Sequence, residues 1–276
     1  MTNDAPGPAP LPRVLRLLWG REETRRPGPK PAITIEMIGA AATRIADADG
    51  LAAVSMNRVA RELGFTPMSL YRYVDSKDDL FVVMLDQVYG RPAPDLPART
   101  PWRARLAAWA HANRAAVLSH PWVLQIPLVS PPLGPNGLAW LEQGLQALTS
   151  TGLTESQKVS VIMLVEIFVR GQTLLTIGID GETSPAVPVE NGQYGRMLSD
   201  LIDEERFPRI WSALCSGALD EEEPEQADPF LSDLTTLLDG IEAQIDRMTG
   251  QRPARPMPVP DRSSNGSERG IGQGIG

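Results

Sequence analysis

Basic side chains are concentrated near the start of this chain. Between Arg13 and Lys77 there are eleven basic and seven acidic residues, a local charge of +4, whereas the whole chain of 276 residues carries −8. Arginine and lysine bind phosphate groups, and arginine can also form two parallel hydrogen bonds to guanine. Much of the negative surplus lies between Asp220 and Asp228. A basic head on an acidic body is compatible with nucleic-acid binding through a local patch.

A glycine turn inside this basic region predicts a helix-turn-helix. In the segment 59–65, the small Ala60 would let a second helix cross closely, and Gly64 would supply the positive φ that such a turn needs. Leu70 would then pack the second helix back onto the first. Three packed helices of an ordinary bundle would give a similar pattern, so the spacing leaves both interpretations open.

Each helix predicted in this region begins with a hydroxyl side chain that can accept a hydrogen bond from the first helical turn. The predicted helices are 35–49, 56–63, 67–74 and 77–89, with Thr34, Ser55, Thr66 and Ser76 as their N-caps. Pro67 fits the first position of a helix because its missing N–H is not needed there. These elements form one compact unit over residues 34–90.

Apolar helices in the remaining chain contain a few polar residues that a small molecule could bind. Asn113 lies in the apolar stripe of a helix predicted over 102–119, and a buried amide needs a partner that a ligand can supply. Glu166 and Arg170 lie in an apolar helix and, being four residues apart, could instead pair with each other. The predicted lining residues are Trp102, Leu106, Trp109, Asn113, Trp122, Trp140, Glu166, Arg170 and Thr173. A plain core has the same composition, so each is a candidate for either role.

The last predicted helix, 229–248, has one narrow apolar seam. Its members recur at intervals of three and four residues and are Leu231, Leu234, Leu238, Ile241 and Ile245. Such a seam fits another helix. That helix could belong to a second copy of the chain or to the same chain.

Several classes of function have no support in the sequence. It contains no phosphate-binding glycine loop, no dinucleotide fingerprint and no nucleophile elbow. With one cysteine and two histidines, no disulfide framework, metal site or cofactor is predicted. The N-terminus lacks a signal-peptide pattern, and the apolar segment 159–179 contains Glu166 and Arg170, so we interpret it as a buried helix and not a membrane span. We therefore expect a cytoplasmic protein that is not an enzyme.

Three segments in the first ninety residues carry a family resemblance. The segments 51–64, 69–74 and 77–80 resemble the N-terminal domain of TetR-family regulators, and the run Leu-Tyr-Arg-Tyr-Val at 70–74 is the most characteristic part. The resemblance is strong over 34–90. It is weaker over the C-terminal part, where 131–136 and 201–207 are similar to the tetracycline-repressor-like C-terminal domain.

The resemblance implies a DNA-binding role for particular positions. The third helix of the unit would enter the major groove with its N-terminal residues nearest the bases. Candidates for base contact are Thr66, Pro67, Met68, Ser69 and Arg72, with Asn57 on the preceding helix for a base or sugar. Tyr71, Tyr73 and Lys77 match phosphate-contacting positions. For both tyrosines, packing in the core is the alternative.

The predicted fold is all-α, with an N-terminal three-helix helix-turn-helix domain and a larger helical domain. We expect a flexible basic arm over 1–33, the DNA-binding domain over 34–90, a ligand-binding and dimerisation domain over 91–249, and a disordered tail over 250–276. Arg21, Arg25, Arg26 and Lys30 in the arm could enter a minor groove or remain solvated. In the family, two helices from each subunit form a four-helix dimer interface, which here would use the seam and the helix 159–177.

The resemblance thus implies a homodimeric transcriptional repressor that binds a near-palindromic, double-stranded operator and is released from it by a small hydrophobic ligand. Two alternatives stay open: a DNA-binding regulator that needs no ligand, and an activator. An enzyme is the least supported alternative.

Overall fold

The computed structural model describes residues 11–21, 33–97, 99–127, 131–177, 194–219 and 229–250. All regular secondary structure within these ranges is helical, as predicted. The α-helices are α1 (Arg13–Leu18), α2 (Ile35–Asp49), α3 (Met56–Leu63), α4 (Pro67–Leu70), α5 (Lys77–Tyr89), α6 (Trp102–Ser119), α7 (Pro135–Ala147), α8 (Glu155–Ile177), α9 (Tyr194–Leu201), α10 (Pro208–Cys215) and α11 (Pro229–Gly250). Short 3-10 helices cover Leu51–Ala53, Pro121–Gln125 and Thr149–Thr151.

Local capping determines where the helices of the head, α2 to α5, begin and end. The hydroxyls of Thr34, Ser55 and Ser76 accept hydrogen bonds from backbone N–H groups three residues on, at 3.3, 3.3 and 3.0 Å. Gly64 ends α3 with φ of +74°, as the turn requires. Helix α4 ends at Leu70 and not at the predicted residue 74, because the chain turns to bring Ser76 into the extended conformation of the next N-cap.

Helices α2 and α5 approach closely in the head core. A Cβ at Gly39 of α2 would lie 2.7 Å from Cγ1 of Val83 and still closer to Oε1 of Gln87, so a larger residue would force these α5 side chains to move. Ile38, Val59 and Leu70 are buried in the same apolar cluster. Helix α5 therefore packs tightly in the head and connects α3 and α4 with the rest of the chain.

The N-terminal segment contains a helix that packs on the head. Val14 and Leu15 of α1 are buried in the head core, and Nε1 of Trp19 donates to the Leu133 carbonyl at 2.9 Å. The expectation of a flexible arm is therefore wrong for residues 11–21, because the short apolar stripe of α1 finds a partner on the head. Arg25, Arg26 and Lys30 lie outside the described residues, as do 181–188, 220–228 and the tail beyond 250.

The body core is built from α6, α7, α8 and α11. Four residues of the α11 seam, Leu234, Leu238, Ile241 and Ile245, are buried within their own chain, alongside Leu106 and Val165 among others. Only Leu231 of the predicted seam is exposed, at 55%. The prediction that this seam forms the dimer interface is wrong for the four buried residues, because a single narrow stripe cannot serve two partners. Intrachain packing was the correct alternative.

None of the residues that the structure describes covers the outer side of α8. Leu164, Ile167 and Leu175 are 47%, 59% and 78% exposed. By length and composition alone α8 could cross a membrane, which is weak evidence because buried core helices meet the same criterion. Its inner residues Val161, Val165 and Val169 pack in the body core. The helix thus has two apolar faces, and the described part of the chain packs against only one of them.

Candidate nucleic-acid interface and buried polar cluster

The helix-turn-helix presents one compact solvent-facing surface around the start of α4. Ala60 is completely buried where α3 and α4 cross, and the Phe65 N–H donates to the Ala60 carbonyl at 2.9 Å. Thr66 precedes Pro67 at the first position of α4, and Thr66 Oγ1 lies 3.1 Å from Ser69 Oγ. The turn therefore fixes the direction in which the first residues of α4 point.

The structure brings most of the predicted DNA-contacting residues onto this surface. Met68 is 75% exposed, an unusual position for a large apolar side chain. The other exposed candidates are Asn57, Thr66, Tyr71, Arg72 and Lys77, while Pro67 and Ser69 are half-buried. None of the acidic residues in the described ranges forms an ion pair with Arg72 or Lys77. Both positive charges are thus available to an anionic partner.

Tyr73 stands apart from this group. Its ring is half-buried, and its hydroxyl donates to the Ile33 carbonyl at 2.8 Å. A tyrosine hydroxyl has one proton, so in this conformation it cannot also donate to a phosphate. The expected phosphate contact of Tyr73 is therefore not supported, and the residue holds the start of α2 against the head.

A second cluster of polar groups lies in the body, between α5, α6 and α8. Asn113 is only 2% exposed, and its Nδ2 donates to Oε2 of Glu166. The Tyr89 hydroxyl lies 3.5 Å from Oε1 of the same carboxylate. Arg170 donates from Nη2 to the carbonyls of Val123 and Ile126 at 3.2 and 3.0 Å. The structure therefore joins Asn113 and Glu166 directly and places Arg170 one helical turn further along α8.

Burial dominates the electrostatics of this cluster. Burial raises the pKa of Glu166, while the charge of Arg170 and hydrogen bonds from Asn113 and Tyr89 oppose that rise. Burial raises the pKa of Tyr89 as well, with the nearby Glu166 charge adding to the effect. A negative charge on Glu166 thus depends on a small number of donors, and any group entering the cluster would compete for them.

Asn113 leaves one hydrogen-bonding atom unused. Its Oδ1 is buried and has no hydrogen-bond partner among the residues that the structure describes. The neighbouring carboxylate fixes the orientation of the amide, because the NH₂ must face an acceptor. A buried carbonyl oxygen without a partner is costly, so this position favours a ligand that carries a hydrogen-bond donor.

The remaining candidate ligand residues are used mainly in packing. Nε1 of Trp109 donates to the Trp140 carbonyl at 2.9 Å, and the Thr173 hydroxyl donates to the Val169 carbonyl at 2.7 Å. Trp140 donates in turn to the carbonyl oxygens of Tyr89 and Gly90. Leu106 is fully buried, Trp102 is half-buried, and Trp122 belongs to the head core and not to the body. Their polar atoms are bonded to backbone carbonyls of their own chain, so the unmatched polar chemistry of the body lies with Asn113, Glu166 and Arg170.

Two aspartates at the head–body joint were missed by sequence reasoning. Asp86 on α5 is buried and accepts hydrogen bonds from Asn136 N, Gly137 N and Asn136 Nδ2 at 2.9, 3.1 and 3.1 Å, which caps the start of α7. Burial raises the pKa of Asp86, and these bonds oppose the rise. Asp47 Oδ1 accepts from Trp122 Nε1 at 2.7 Å. The only sequence signal for Asp86 is an acidic residue within the apolar run of α5.

Comparison with known proteins places this architecture among transcription factors. Residues 38–84 match the family of bacterial regulatory proteins called the tetR family, and residues 93–245 match the tetracyclin repressor-like C-terminal domain. The HTH-type transcriptional repressor DrrR1 of Streptomyces coeruleorubidus is 35% identical over 259 residues, which cover 91% of this chain and 92% of that protein.

Solved structures agree with this relationship. Apo ActR of Streptomyces coelicolor superposes with a TM-score of 0.66 at 25% identity, covering 79% of this chain and 99% of that one. ActR in complex with actinorhodin gives a TM-score of 0.65 at 26% identity, covering 77% of this chain and 98% of that one.

In the described ranges no group of three or more histidine, cysteine or acidic side chains is arranged to hold a metal ion.

Proposed function

Because the chain belongs to the TetR family of transcriptional regulators, we propose that it is a homodimeric repressor that a small hydrophobic ligand releases from its operator. The observation that carries the DNA-binding part is the surface of α4, where Met68 within the helix and Arg72 just after its end both face solvent. The relatives are transcriptional regulators, and we extend to this chain a cytoplasmic location and the lack of an enzymatic activity.

We assign roles on DNA by position and exposure. Arg72 would read guanine in the major groove, and Met68 would contact a thymine methyl group. Lys77 would bind phosphate at the start of α5, where the helix dipole also favours an anion. Sequencing genomic DNA fragments retained by the purified protein tests the proposal, and retention of random fragments alone would contradict it.

Substitutions in this surface should separate base reading from phosphate binding. Arg72→Ala should weaken binding to the selected operator by about 1–3 kcal/mol and relax specificity at one base pair. Lys77→Ala should weaken binding to all DNA sequences alike and flatten the salt dependence. Fluorescence anisotropy with operator and scrambled duplexes at several salt concentrations measures both effects. Arg209→Ala, which removes an exposed basic side chain on α10, outside the head and outside α8 and α11, is the matched control and should bind as the parent does.

The ligand site follows from the buried polar cluster. Trp109, Trp140 and Phe168 supply apolar and aromatic surface around it, and Asn113 Oδ1 supplies an unused acceptor. We therefore propose a hydrophobic ligand with at least one hydroxyl or N–H donor. The binding of actinorhodin by ActR shows that a structural relative accepts a small molecule, which supports a similar use of the body here.

Paired ligands test this chemistry directly. Hydrophobic metabolites with a free hydroxyl should bind about tenfold more tightly than their O-methyl forms, because the site's acceptor would otherwise stay unpaired. The difference should disappear in Asn113→Leu, which removes the acceptor. Tryptophan fluorescence reports binding in both proteins. Equal discrimination by the parent and the variant would show that the donor is recognised elsewhere.

The dimer interface is proposed on the outer side of α8, together with α11. Leu164, Ile167 and Leu175 form an exposed apolar stripe there. Gly171 on α8 and Gly240 on α11 are exposed, and a Cβ at either position would meet nothing within 4 Å. A glycine inside a helix costs stability without such a contact, so close approach of a second copy would explain both. This interface replaces the buried α11 seam.

A further inference from the structure

One segment of the body chain is embedded in the core of the head. Residues 121–126, here called the bridging turn, follow α6 in sequence and consist of the 3-10 helix Pro121–Gln125 and Ile126. Trp122, Val123 and Ile126 are nevertheless buried in the same apolar cluster as α2, α3 and α5. A displacement of the bridging turn would therefore change the packing of the head itself.

The head holds the bridging turn through a carboxylate on α2. Asp47 Oδ1 accepts a hydrogen bond from Trp122 Nε1 at 2.7 Å and lies 2.7 Å from His120 Nδ1. Charge-assisted hydrogen bonds of this kind are roughly twice as strong as neutral ones. Because Asp47 lies near the end of α2, the bridging turn is connected to a helix that packs directly against α3.

The body holds the same turn through Arg170. Its Nη2 donates to the carbonyl oxygens of Val123 and Ile126 at 3.2 and 3.0 Å. Arg170 lies one helical turn after Glu166 on α8, and its charge lowers the pKa of that carboxyl group against the effect of burial. The arginine is therefore hydrogen-bonded to the bridging turn and lies four residues along α8 from Glu166, a spacing at which helical side chains are neighbours.

We propose that Arg170 passes the occupancy of the ligand site to the DNA-binding head, with the bridging turn as the element that moves. A ligand donor that binds Glu166 and Asn113 screens the carboxylate charge that attracts Arg170 one helical turn away, and the resulting shift of Arg170 loosens its two bonds to the turn. The head then shifts through Asp47. The proposal rests on the ligand site proposed above and adds the route by which it regulates DNA binding.

Hydrogen exchange of the full-length chain without DNA or ligand tests the route. Arg170→Met removes the guanidinium and keeps an apolar stem. Exchange of amides in 121–126 should rise at least about tenfold, the factor that corresponds to one charge-assisted hydrogen bond. Exchange in 41–49 of α2 should rise about threefold, although Arg170 has no hydrogen bond to α2. An unchanged rate in 41–49 would overturn the proposal.

Two control variants separate this route from general destabilisation and from a path along α5. Arg105 also donates to a carbonyl, that of Gln146, and pairs with Asp95, but its bonds do not involve the bridging turn. Arg105→Met should leave the exchange rates of 121–126 and 41–49 unchanged. If this variant raised them as much as Arg170→Met does, the effect would be general destabilisation. Tyr89→Phe removes the hydroxyl that links α5 to Glu166. Tyr89→Phe should leave the exchange rate of amides 41–49 unchanged. A rise in that rate equal to the rise in Arg170→Met would place the route in α5.

A double-mutant cycle measures the coupling on DNA. Asp47→Asn weakens the connection at the head, and Arg170→Met breaks it at the body. If both lie on one route, the double variant should lose no more affinity for the selected operator than the more affected single variant. Additive losses would overturn the proposal. Since the exchange measurement uses no DNA, it can fail while the protein still proves to be a ligand-responsive repressor.

Discussion

Replacing Leu164 and Ile167 together with aspartate should convert the protein to monomers and weaken operator binding by at least about a hundredfold. Both side chains face solvent on α8, so the substitutions leave the body core intact. In a dimer they would bury four charges against apolar surface, which is strongly unfavourable without partners. A monomer binds only one half-site and loses the roughly hundredfold or greater gain that comes from two linked contacts.

Light scattering and operator titration measure the two effects, and circular dichroism should show an unchanged fold. The matched control is Leu118→Asp with Leu96→Asp, two exposed leucines that lie outside α8 and α11. The control should remain dimeric and bind DNA normally. A double α8 variant that is still dimeric at low micromolar concentration would place the interface on another surface.

The second large effect is expected at the joint between head and body. Asp86→Ala removes the acceptor for two backbone N–H groups at the start of α7, while the Asn136 amide loses the carboxylate but keeps the carbonyl of residue 86 at 3.0 Å. Leaving such donors buried without partners costs about 1–3 kcal/mol each, and we expect a total loss near 3 kcal/mol after local relaxation. The melting temperature should fall by about 6–12 °C.

Differential scanning calorimetry compares this variant with Asp78→Ala, which removes an exposed carboxylate from the first turn of the same helix. That control should change the melting temperature by only about 1–3 °C, through the helix dipole alone. If the two variants have the same melting temperature, Asp86 does not stabilise the contact between α5 and the start of α7. Gly134 supports the close fit, because a Cβ there would lie 2.2 Å from Asp86 Oδ1.

Most helix boundaries of the head could be predicted from the sequence because they depend on local chemistry. The hydroxyl N-caps at 34, 55 and 76 and the left-handed Gly64 act on neighbouring backbone groups, and all four are confirmed. The polar cluster could be anticipated in part, because Asn113, Glu166 and Arg170 interrupt apolar stripes. Their convergence needs three separate helices to meet, which no spacing along the chain specifies.

Other features depend on long-range packing and left little trace in the sequence. An apolar seam such as that of α11 has the same spacing whether it binds its own chain or another. The hydroxyl of Tyr73 finds a carbonyl forty residues away. Asp47 and Asp86 resemble ordinary surface aspartates on amphipathic helices until the bridging turn and the start of α7 are in place. Sequence patterns therefore predicted which faces are apolar but not what covers them.

The composition of the head core has a consequence for the exchange of domains between related regulators. Since Val14 and Leu15 come from before the head and Trp122, Val123 and Ile126 from within the body, residues 33–90 do not contain a complete core. A chimera that joins these residues alone to the body of another repressor would expose apolar surface on both parts. A functional chimera should need α1 and the bridging turn transferred together with α2 to α5. An exchange of operator specificity with this protein should therefore require three separated segments of the chain.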